Sequence, residues 1–368
     1  MDIQCFESDP DGRFPGNAGT PSIAGVLRRR TPHEIPIPAT RQVVTTRFSL
    51  RTTAFALSGA LALSGCASPV AGGGDGSGTS GATTPVSLGV VPVIDVAPIY
   101  LGKEKGFFAK RGIDLRLETG QGGAAILPGV MSGQLTFGFS NMTSLLVARD
   151  KGLDVKVVAN GTSSTGKSGA DFGAVVVRGD SPVQSAKDLA GRSVAVNTLK
   201  NIGDTTVRAS VRKAGGDAAA VKFTELAFPD MPAALAKGNV DAAWVVEPFL
   251  TMAKNQGARV VAWNFVDTAP KLSVAAYFTS AKLRAEQPDL VRKFTEAANE
   301  SATYAQAHPD EARQAITGYT KITKEQVASL TLPDWPAEVN RESVATLAEL
   351  APQDGLVSGK PDLTALLP

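Results

Sequence analysis

The chain has 368 residues, with 37 Lys or Arg and 35 Asp or Glu, for a formal net charge of +2. This near-balance argues against a nucleic-acid partner, which would require a strongly basic surface. The sequence has two cysteines, Cys5 and Cys66, and two histidines, His33 and His308. So small a number of these residues disfavours disulfides, thiol catalysis, a Ser/His/Asp triad and His-based metal sites. We therefore expect a non-enzymatic protein without cofactor or metal.

The N-terminal segment carries the features of a secretion signal. A basic flank precedes an uncharged stretch at 52–63, which is shorter than the roughly 20 apolar residues of a membrane span. Residues 63–66 (Leu-Ser-Gly-Cys) follow and resemble the bacterial lipobox, which implies that Cys66 is lipidated and anchors the protein to a membrane. The alternative, a buried cysteine of a core helix, is disfavoured by the Gly/Ser tract directly after it.

Residues 43–66 are accordingly interpreted as a lipoprotein signal peptide. Residues 67–85 are rich in Gly, Ser, Thr and Ala and are expected to form a flexible linker. Residues 1–42 are rich in Pro, Arg and Thr and are interpreted as a disordered extension. A second hypothesis is that translation starts near Val43 and leaves this extension out.

From Val86 onward, β-prone runs alternate with helical patterns. Runs such as Ser193–Val196 are followed by helical stretches such as Thr205–Lys213. Strands separated by helices of this size need crossover connections, so the pattern predicts an α/β fold with mostly parallel sheets. After Ser280 the pattern is almost wholly helical, and the longest expected helix covers Pro288–Ala307.

Several short motifs follow one another in a distinctive order. They are 98–108 (Pro-Ile-Tyr-Leu-Gly-Lys-Glu-Lys-Gly-Phe-Phe), 112–115 (Gly-Ile-Asp-Leu), 122–124 (Gly-Gly-Ala), 133–138 (Gly-Gln-Leu-Thr-Phe-Gly), 188–196 (Asp-Leu-Ala-Gly-Arg-Ser-Val-Ala-Val), 238–243 (Gly-Asn-Val-Asp-Ala-Ala) and 247–248 (Glu-Pro). Their order resembles a known family, the periplasmic ABC-transporter substrate-binding proteins of the sulfonate, taurine, nitrate and thiamine-pyrimidine-precursor group. Thr136 departs from the family pattern, which usually has Asp at that position.

The resemblance implies a two-lobed periplasmic binding protein fold, type II-like, with two hinge crossovers and a ligand clamped between the lobes. Lobe 1 would take residues 86–172 and 280–368, and lobe 2 would take 174–275. The crossovers would fall near 169–174 and 274–279. Such hinges absorb backbone rotation while each lobe stays rigid.

Ligands of open α/β sheets bind beyond the carboxyl ends of strands, where free N–H groups of helix N-termini attract anionic groups. In lobe 1 this rule selects Asp95, which either contacts the ligand or caps the helix that begins near Pro98. The other candidate contacts in lobe 1 are Gln121, Gly122, Gly123, Ala124, Ser140 and Asn141, with an ordinary turn or a helix cap as their alternative.

In lobe 2 the same rule selects Asn197, Thr198 and Gly203, beside a second potential anion cradle. Glu247 follows a strand end and precedes Pro248, so it either accepts hydrogen bonds from the ligand or stabilises the start of a helix. Trp244 either supplies an aromatic wall to the cleft or packs in the core.

Helix N-termini favour anions whereas Asp95 and Glu247 favour donors, so a zwitterion or a polar heteroaromatic molecule satisfies both. We expect a small organosulfonate of the taurine type, with a pyrimidine or thiamine precursor or a nitrate-like anion as alternatives. The protein would be a monomeric, extracytoplasmic lipoprotein that delivers its ligand to an ABC permease with its ATPase. Functions of another class are a ligand-sensing lipoprotein and an enzyme similar to pyrimidine synthases.

Overall fold

Two five-stranded sheets form the framework of the computed structural model, which describes residues 83–368. The proposed extension, signal peptide, Cys66 anchor and nearly all of the linker lie outside these residues. The strands are β1 Thr84–Val90, β2 Ile113–Thr119, β3 Phe137–Asn141, β4 Val155–Ser163, β5 Gly173–Val177, β6 Ser193–Val196, β7 Lys222–Glu225, β8 Ala242–Val246, β9 Arg259–Ala262 and β10 Ser273–Ser280.

The first sheet has the order β2-β1-β3-β10-β4 and the second has the order β7-β6-β8-β5-β9. In each sheet one strand runs against the others: β10 is antiparallel to β3 and β4, and β5 is antiparallel to β8 and β9. The remaining neighbours of β1 and β6 pair in parallel. This mixed arrangement confirms the predicted α/β fold class.

Helices cover the faces of both sheets, as expected for parallel crossover units. The expected helix at Pro288–Ala307 is confirmed, and it packs Phe294 against Phe137 with ring centroids 3.8 Å apart. The helices are α1 Ala97–Glu104, α2 Gly123–Met131, α3 Met142–Asp150, α4 Ile202–Lys213, α5 Met231–Ala236, α6 Phe249–Asn255, α7 Asn264–Thr268, α8 Ala281–Glu286, α9 Pro288–Ala307, α10 Pro309–Ala315, α11 Lys324–Val327, α12 Arg341–Gln353 and α13 Leu363–Leu366.

Strand β1 shows how the sequence specifies the first sheet. Val86, Leu88 and Val90 alternate along it and are fully buried, as the period of two requires. The strand begins two residues before the expected start at Val86, because Thr84 and Pro85 already pair with β2. Pro85 is tolerated there since β3 pairs only with Leu88 and Gly89, so the other side of the strand is open at its start.

Thr136 occupies the position where the family pattern has Asp, and it forms a closed set of hydrogen bonds with β1. The Ser87 N–H donates to Thr136 Oγ1 at 3.2 Å, and the Thr136 N–H donates to Ser87 Oγ at 3.1 Å. The Thr136 carbonyl also accepts from Thr279 Oγ1 at 2.8 Å. The hydroxyl of Thr136 therefore supplies a hydrogen-bond acceptor at this turn.

The two crossovers join the carboxyl edges of the sheets. The chain leaves β4 at Ser163 and enters β5 at Gly173, which pairs with Val246 at the end of β8. It returns from β9 to Ser273, which pairs with Ser163. Because both crossovers start and end at carboxyl edges, the carboxyl edges of the two sheets face each other. Ligands of α/β sheets bind at such edges.

The second crossover lies earlier in the chain than the sequence suggested. Residues 274–279 were expected to form it, yet they belong to β10 in the first sheet, where they pair with β3 and β4. The hydrophobic content of this segment fits a strand buried between two neighbours. Helix α7 still packs against α4 and β5 on the side of the second sheet, so the crossover itself lies between Thr268 and Ser273. The boundaries of two independently moving lobes stay a prediction.

A buried aspartate holds the first crossover. The carboxylate of Asp171 accepts from Ser164 Oγ at 2.6 Å, from the Thr165 N–H at 3.0 Å and from the Phe172 N–H at 3.0 Å. The two crossovers are also joined directly, because the Ser164 N–H donates to the Leu272 carbonyl at 2.8 Å.

We predict that Asp171→Ala lowers the free energy of unfolding by about 3 kcal/mol, because several buried donors lose their acceptor. Urea unfolding followed by circular dichroism measures this change. The matched control is Asp180→Ala at an exposed position, where we expect a change within about 0.5 kcal/mol. Equal effects of the two substitutions would contradict this role of Asp171.

Candidate ligand-binding site

Two adjoining cavities lie where the carboxyl edges of the two sheets meet. The inner cavity has a volume of about 40 Å³, and the outer cavity has a volume of about 360 Å³. Val91, Val93 and Phe228 line both of them. The two cavities are therefore parts of one cleft, which is narrow inside and wide outside.

Both sheets contribute to the inner cavity, and most of its walls are apolar. From the first sheet it is lined by Val91, Val93, Asp95, Gly122, Gly123, Phe139, Asn141, Val274 and Ala275, and from the second by Asn197, Ile202, Phe228, Trp244, Val246 and Phe265.

Among the residues of 83–368 that line the two cavities, Asp95 is the only ionisable one. Its side chain is buried and its Oδ2 has no hydrogen-bond partner. Burial raises the pKa of this carboxyl to about 7, and the hydrogen-bonding groups nearby offset only part of that shift. Asp95 lies in a short 3-10 helix at Ile94–Val96, which is followed by α1, and no side chain caps the start of either helix. Asp95 therefore does not act as a helix cap.

The main chain around Asp95 is held from several directions. The Ile94 N–H donates to the Glu247 carbonyl at 2.9 Å. The Asp95 carbonyl accepts from Trp335 Nε1 at 3.1 Å, and the Val93 carbonyl accepts from the Tyr319 hydroxyl at 3.1 Å. This bracing keeps the loop in place, so the carboxyl cannot relax towards water.

Trp244 lines the inner cavity and is 3 % exposed, so the wall and core alternatives are both realised. Its Nε1 is buried without a hydrogen-bond partner, which is unusual because a buried indole N–H normally finds an acceptor. Phe228 and Phe265 flank the indole, with ring centroids at 5.4 and 6.0 Å. The second sheet thus presents an aromatic wall with one free donor.

The glycine-containing loop after β2, residues 120–124, contributes to the lining of both cavities. Gly122 and Gly123 line the inner cavity and Gln121 lines the outer one, whereas Ala124 is exposed and lines neither. No side chain caps the start of α2, so its first N–H groups are available to a ligand. A Cβ on Gly123 would lie 1.9 Å from Ser140 Oγ, so this position requires glycine.

Ser140 and Asn141 have different roles. Ser140 is fully buried against Gly123 and donates to the Asn141 carbonyl at 3.3 Å, so it supports the glycine loop from behind. Asn141 lines the inner cavity and also caps α3 by accepting from the Ser144 N–H at 2.9 Å. The ligand and capping alternatives for Asn141 are compatible with each other.

Asn197 joins the two sheets across the cleft, because its Nδ2 donates to the Gln121 carbonyl at 3.0 Å. A Cβ on Gly122 would lie 2.9 Å from both Asn197 Nδ2 and Thr198 Cγ2, so the facing loops are in direct contact. The Thr198 hydroxyl accepts from Asn201. Thr198 does not line either cavity.

The expected anion cradle at Gly203 is not available. The Gly203 N–H donates to Asn201 Oδ1 at 2.8 Å, and the acidic Asp204 lies in the same first turn. A Cβ on Gly203 would lie 2.6 Å from the Trp244 ring. Gly203 therefore allows the indole to pack closely and does not line the cavity.

Glu247 makes the contacts of the helix-start alternative. Its carboxylate is buried and accepts from the Thr251 N–H at 3.0 Å, from Thr251 Oγ1 at 2.9 Å and from the Thr331 N–H at 3.3 Å. Burial raises the pKa of this carboxyl to about 7, against the opposing effect of these hydrogen bonds. Glu247 does not line either cavity, so a direct ligand contact stays a prediction.

Apart from Trp244, the aromatic and apolar side chains that line the site were not identified from the sequence. Phe228 follows β7 at the carboxyl edge of the second sheet, so the strand-end rule could have found it. Phe139 and Phe265 have no such signal, because an apolar residue in a strand or short helix reads equally well as core.

Two further properties concern residues 83–368 alone. None of their helices is both long and apolar enough to cross a membrane. Within the same residues, no group of three or more His, Cys, Asp or Glu side chains is arranged to hold a metal ion.

We predict that Asp95→Asn stabilises the protein in a pH-dependent way. The pKa is about 7 in the folded protein and about 4 in an unfolded chain. Between these values the folded state keeps a proton that the unfolded state has lost, so the stability of the parent protein falls as pH rises through this window. Asparagine does not titrate and removes this loss.

The advantage of Asp95→Asn should be near zero at about pH 4 and reach up to about 4 kcal/mol at about pH 8. Urea unfolding at both pH values measures it. Asp114→Asn on exposed strand β2 is the control, with little expected change. A constant difference between Asp95→Asn and the parent across this range would show that the carboxyl is not desolvated.

Comparisons with known proteins agree with this architecture. The chain is 25% identical over 273 residues to the riboflavin-binding protein RibY of Chloroflexus aurantiacus, which covers 70% of this chain and 74% of the relative. It is 23% identical over 256 residues to a formylaminopyrimidine-binding protein of Halalkalibacterium halodurans, covering 68% of this chain and 72% of the relative.

Among solved structures, the alkanesulfonate-binding protein SsuA of Xanthomonas axonopodis pv. citri, bound to MOPS, superposes with a TM-score of 0.66 at 15% identity, covering 77% of this chain and 97% of SsuA. This likeness supports the periplasmic binding protein fold of type II. The family model described as "NMT1/THI5 like" matches residues 93–312, which is more than half of the chain. The chain therefore belongs to the NMT1/THI5-like family of ABC-transporter substrate-binding proteins, which are binding proteins and not enzymes.

Proposed function

We propose that this substrate-binding protein captures an uncharged planar nitrogen heterocycle, of the pyrimidine or flavin type, for import by an ABC transporter. One observation carries the proposal. Asp95 Oδ2 and Trp244 Nε1 are both buried without partners, and both residues line the same inner cavity. Buried polar groups without partners are rare in folded proteins, and a ligand that supplies the missing hydrogen bonds explains them.

The edge of a nitrogen heterocycle matches these two groups. Ring or exocyclic N–H groups donate to the Asp95 carboxyl, and a ring nitrogen or carbonyl oxygen accepts from Trp244 Nε1. The part of the ring that enters the inner cavity contacts the aromatic side chains there, among them Phe139 and Phe265. The N–H groups at the start of α2 and the amide of Asn141 supply further polar contacts.

The charge of the site argues against the organosulfonate that the sequence favoured and against nitrate. In the part of the chain that the structure describes, no Lys or Arg lines either cavity, and the only ionisable group there is the Asp95 carboxyl. A buried anion without a cationic partner is costly, and a neighbouring carboxylate raises that cost. The two relatives named for riboflavin and formylaminopyrimidine bind planar heterocycles, whereas the likeness to the alkanesulfonate-binding protein concerns the fold alone.

Closure of the cleft would provide the binding step. The two crossovers act as the hinge, and the contact of Gly122 with Asn197 and Thr198 belongs to the closed state. A ligand that touches both sheets only in this state shifts the equilibrium towards it. The protein would be a monomer outside the cytoplasm, anchored to a membrane through Cys66. In its closed form it would deliver the ligand to a membrane permease.

We predict that a planar heterocycle raises the melting temperature of the protein whereas sulfonates and nitrate do not, because a ligand specific for the folded state stabilises it. A thermal-shift panel of riboflavin, formylaminopyrimidine, uracil, taurine, MOPS and nitrate measures this. Hits are confirmed by calorimetry, where Asp95→Asn and Trp244→Phe should each weaken binding about tenfold or more. Stabilisation by taurine or nitrate alone would overturn the proposal.

We also predict that Gly122→Ala weakens binding of any such hit by about tenfold or more, because the added methyl keeps the facing loops apart and overpacking typically costs about 1–3 kcal/mol. Gly122 has an extended backbone, so the effect is steric and not conformational. Gly318→Ala is the matched control, since a Cβ there meets nothing within 4 Å. If both variants bind like the parent, the closed contact does not contribute to binding.

A further inference from the structure

We infer that the outer cavity is a second subsite, which receives an uncharged, hydroxylated substituent of the heterocycle and excludes phosphorylated forms. This inference rests on the proposed function, because it extends the same ligand from the inner cavity outwards.

The two cavities differ in volume, so they would accommodate different parts of the ligand. The inner cavity of about 40 Å³ has no room for anything beyond a ring edge in the closed state. The outer cavity of about 360 Å³ falls within the range of roughly 300–1,000 Å³ that is typical of ligand pockets. Since Val91, Val93 and Phe228 line both, a substituent on the ring passes directly from one to the other.

The walls of the outer cavity are apolar and rigid. Phe228 stacks on Phe249 with ring centroids 5.9 Å apart and an interplanar angle of 3°, and Pro229 continues the same wall. On the opposite side, the bond from Asn197 to the Gln121 carbonyl fixes the glycine loop. The stacked pair Phe228 and Phe249 lies wholly on the side of the second sheet and does not depend on closure, so this part of the wall is preformed and lowers the entropy that binding must offset.

The polar groups of the outer cavity are uncharged. Thr119 and Gln121 are the polar side chains that line it, and both offer hydrogen bonds that suit hydroxyl groups. The charged residues adjacent in sequence to its lining are acidic, since Glu118 precedes Thr119 and Asp230 follows Pro229, and both are exposed. A phosphate in this cavity would find no Lys or Arg among the described residues that line it.

The test compares three probes by calorimetry: riboflavin, riboflavin 5′-phosphate, and lumichrome, which has the ring system without the hydroxylated chain. The parent protein should bind riboflavin at least about tenfold more tightly than either of the others. Gln121→Arg should shift the affinity ratio of the phosphate form to riboflavin by about tenfold or more towards the phosphate, because the guanidinium supplies the missing charge. Gln121→Glu should shift this ratio the other way.

Gln287→Arg, the same substitution at an exposed position outside the cleft, is the matched control and should leave the ratio unchanged. The inference is overturned if lumichrome or the phosphate form binds as tightly as riboflavin, or if Gln121→Arg and Gln287→Arg behave alike. It is also overturned, with the proposed function intact, if only heterocycles without a substituent bind. If no planar heterocycle binds at all, the proposed function itself fails.

Discussion

The burial of the Asp95 carboxyl in an apolar cleft is the constraint on which the site depends. Burial removes water from this carboxyl and leaves its Oδ2 without a hydrogen-bond partner, and the raised pKa of Asp95 reflects the cost of that burial. Core residues that serve stability alone are packed or hydrogen-bonded, whereas functional groups are often held in unfavourable surroundings. The indole N–H of Trp244 is likewise buried without a hydrogen-bond partner.

The rest of the fold keeps this arrangement from relaxing. Glu247, at the end of β8, holds Ile94 through its carbonyl and holds Thr331 through its carboxylate. Trp335 packs with α1 and α9 and donates its indole N–H to the Asp95 carbonyl. The loop that carries Asp95 is thus fixed by the second sheet and by the C-terminal segment together. Glu247 thus positions this loop through its main-chain carbonyl, while its carboxylate ties the first turns of α6 to the segment at Thr331.

The residues that the strand-end rule selects fall mostly at one cavity, because the rule depends on local patterns, and their contact with a ligand stays a prediction. Asp95, Gly122, Gly123, Asn141, Asn197 and Trp244 all line the inner cavity. The role of Glu247 could not be read in this way, since its partner Thr331 lies 84 residues further along the chain. The same holds for Asp95, whose loop is held by a residue 240 positions away. The apolar walls were missed because hydrophobicity does not distinguish a cavity wall from a core, and β10 was taken for a crossover because its position depends on pairing with two distant strands.

Under the proposed function, the desolvated carboxyl also links closure of the cleft to the chemical nature of the ligand. In an open cleft, water would satisfy Asp95 and Trp244, so opening would carry little penalty from these groups. Closing around a ligand without N–H donors removes that water and leaves the carboxyl alone. Closing around a ligand that donates to Asp95 and accepts from Trp244 replaces the lost hydrogen bonds in a low-dielectric surrounding, where they are stronger. The free energy of closure therefore depends on the ligand's pattern of donors and acceptors, and a complex with an unmatched solute stays open and dissociates.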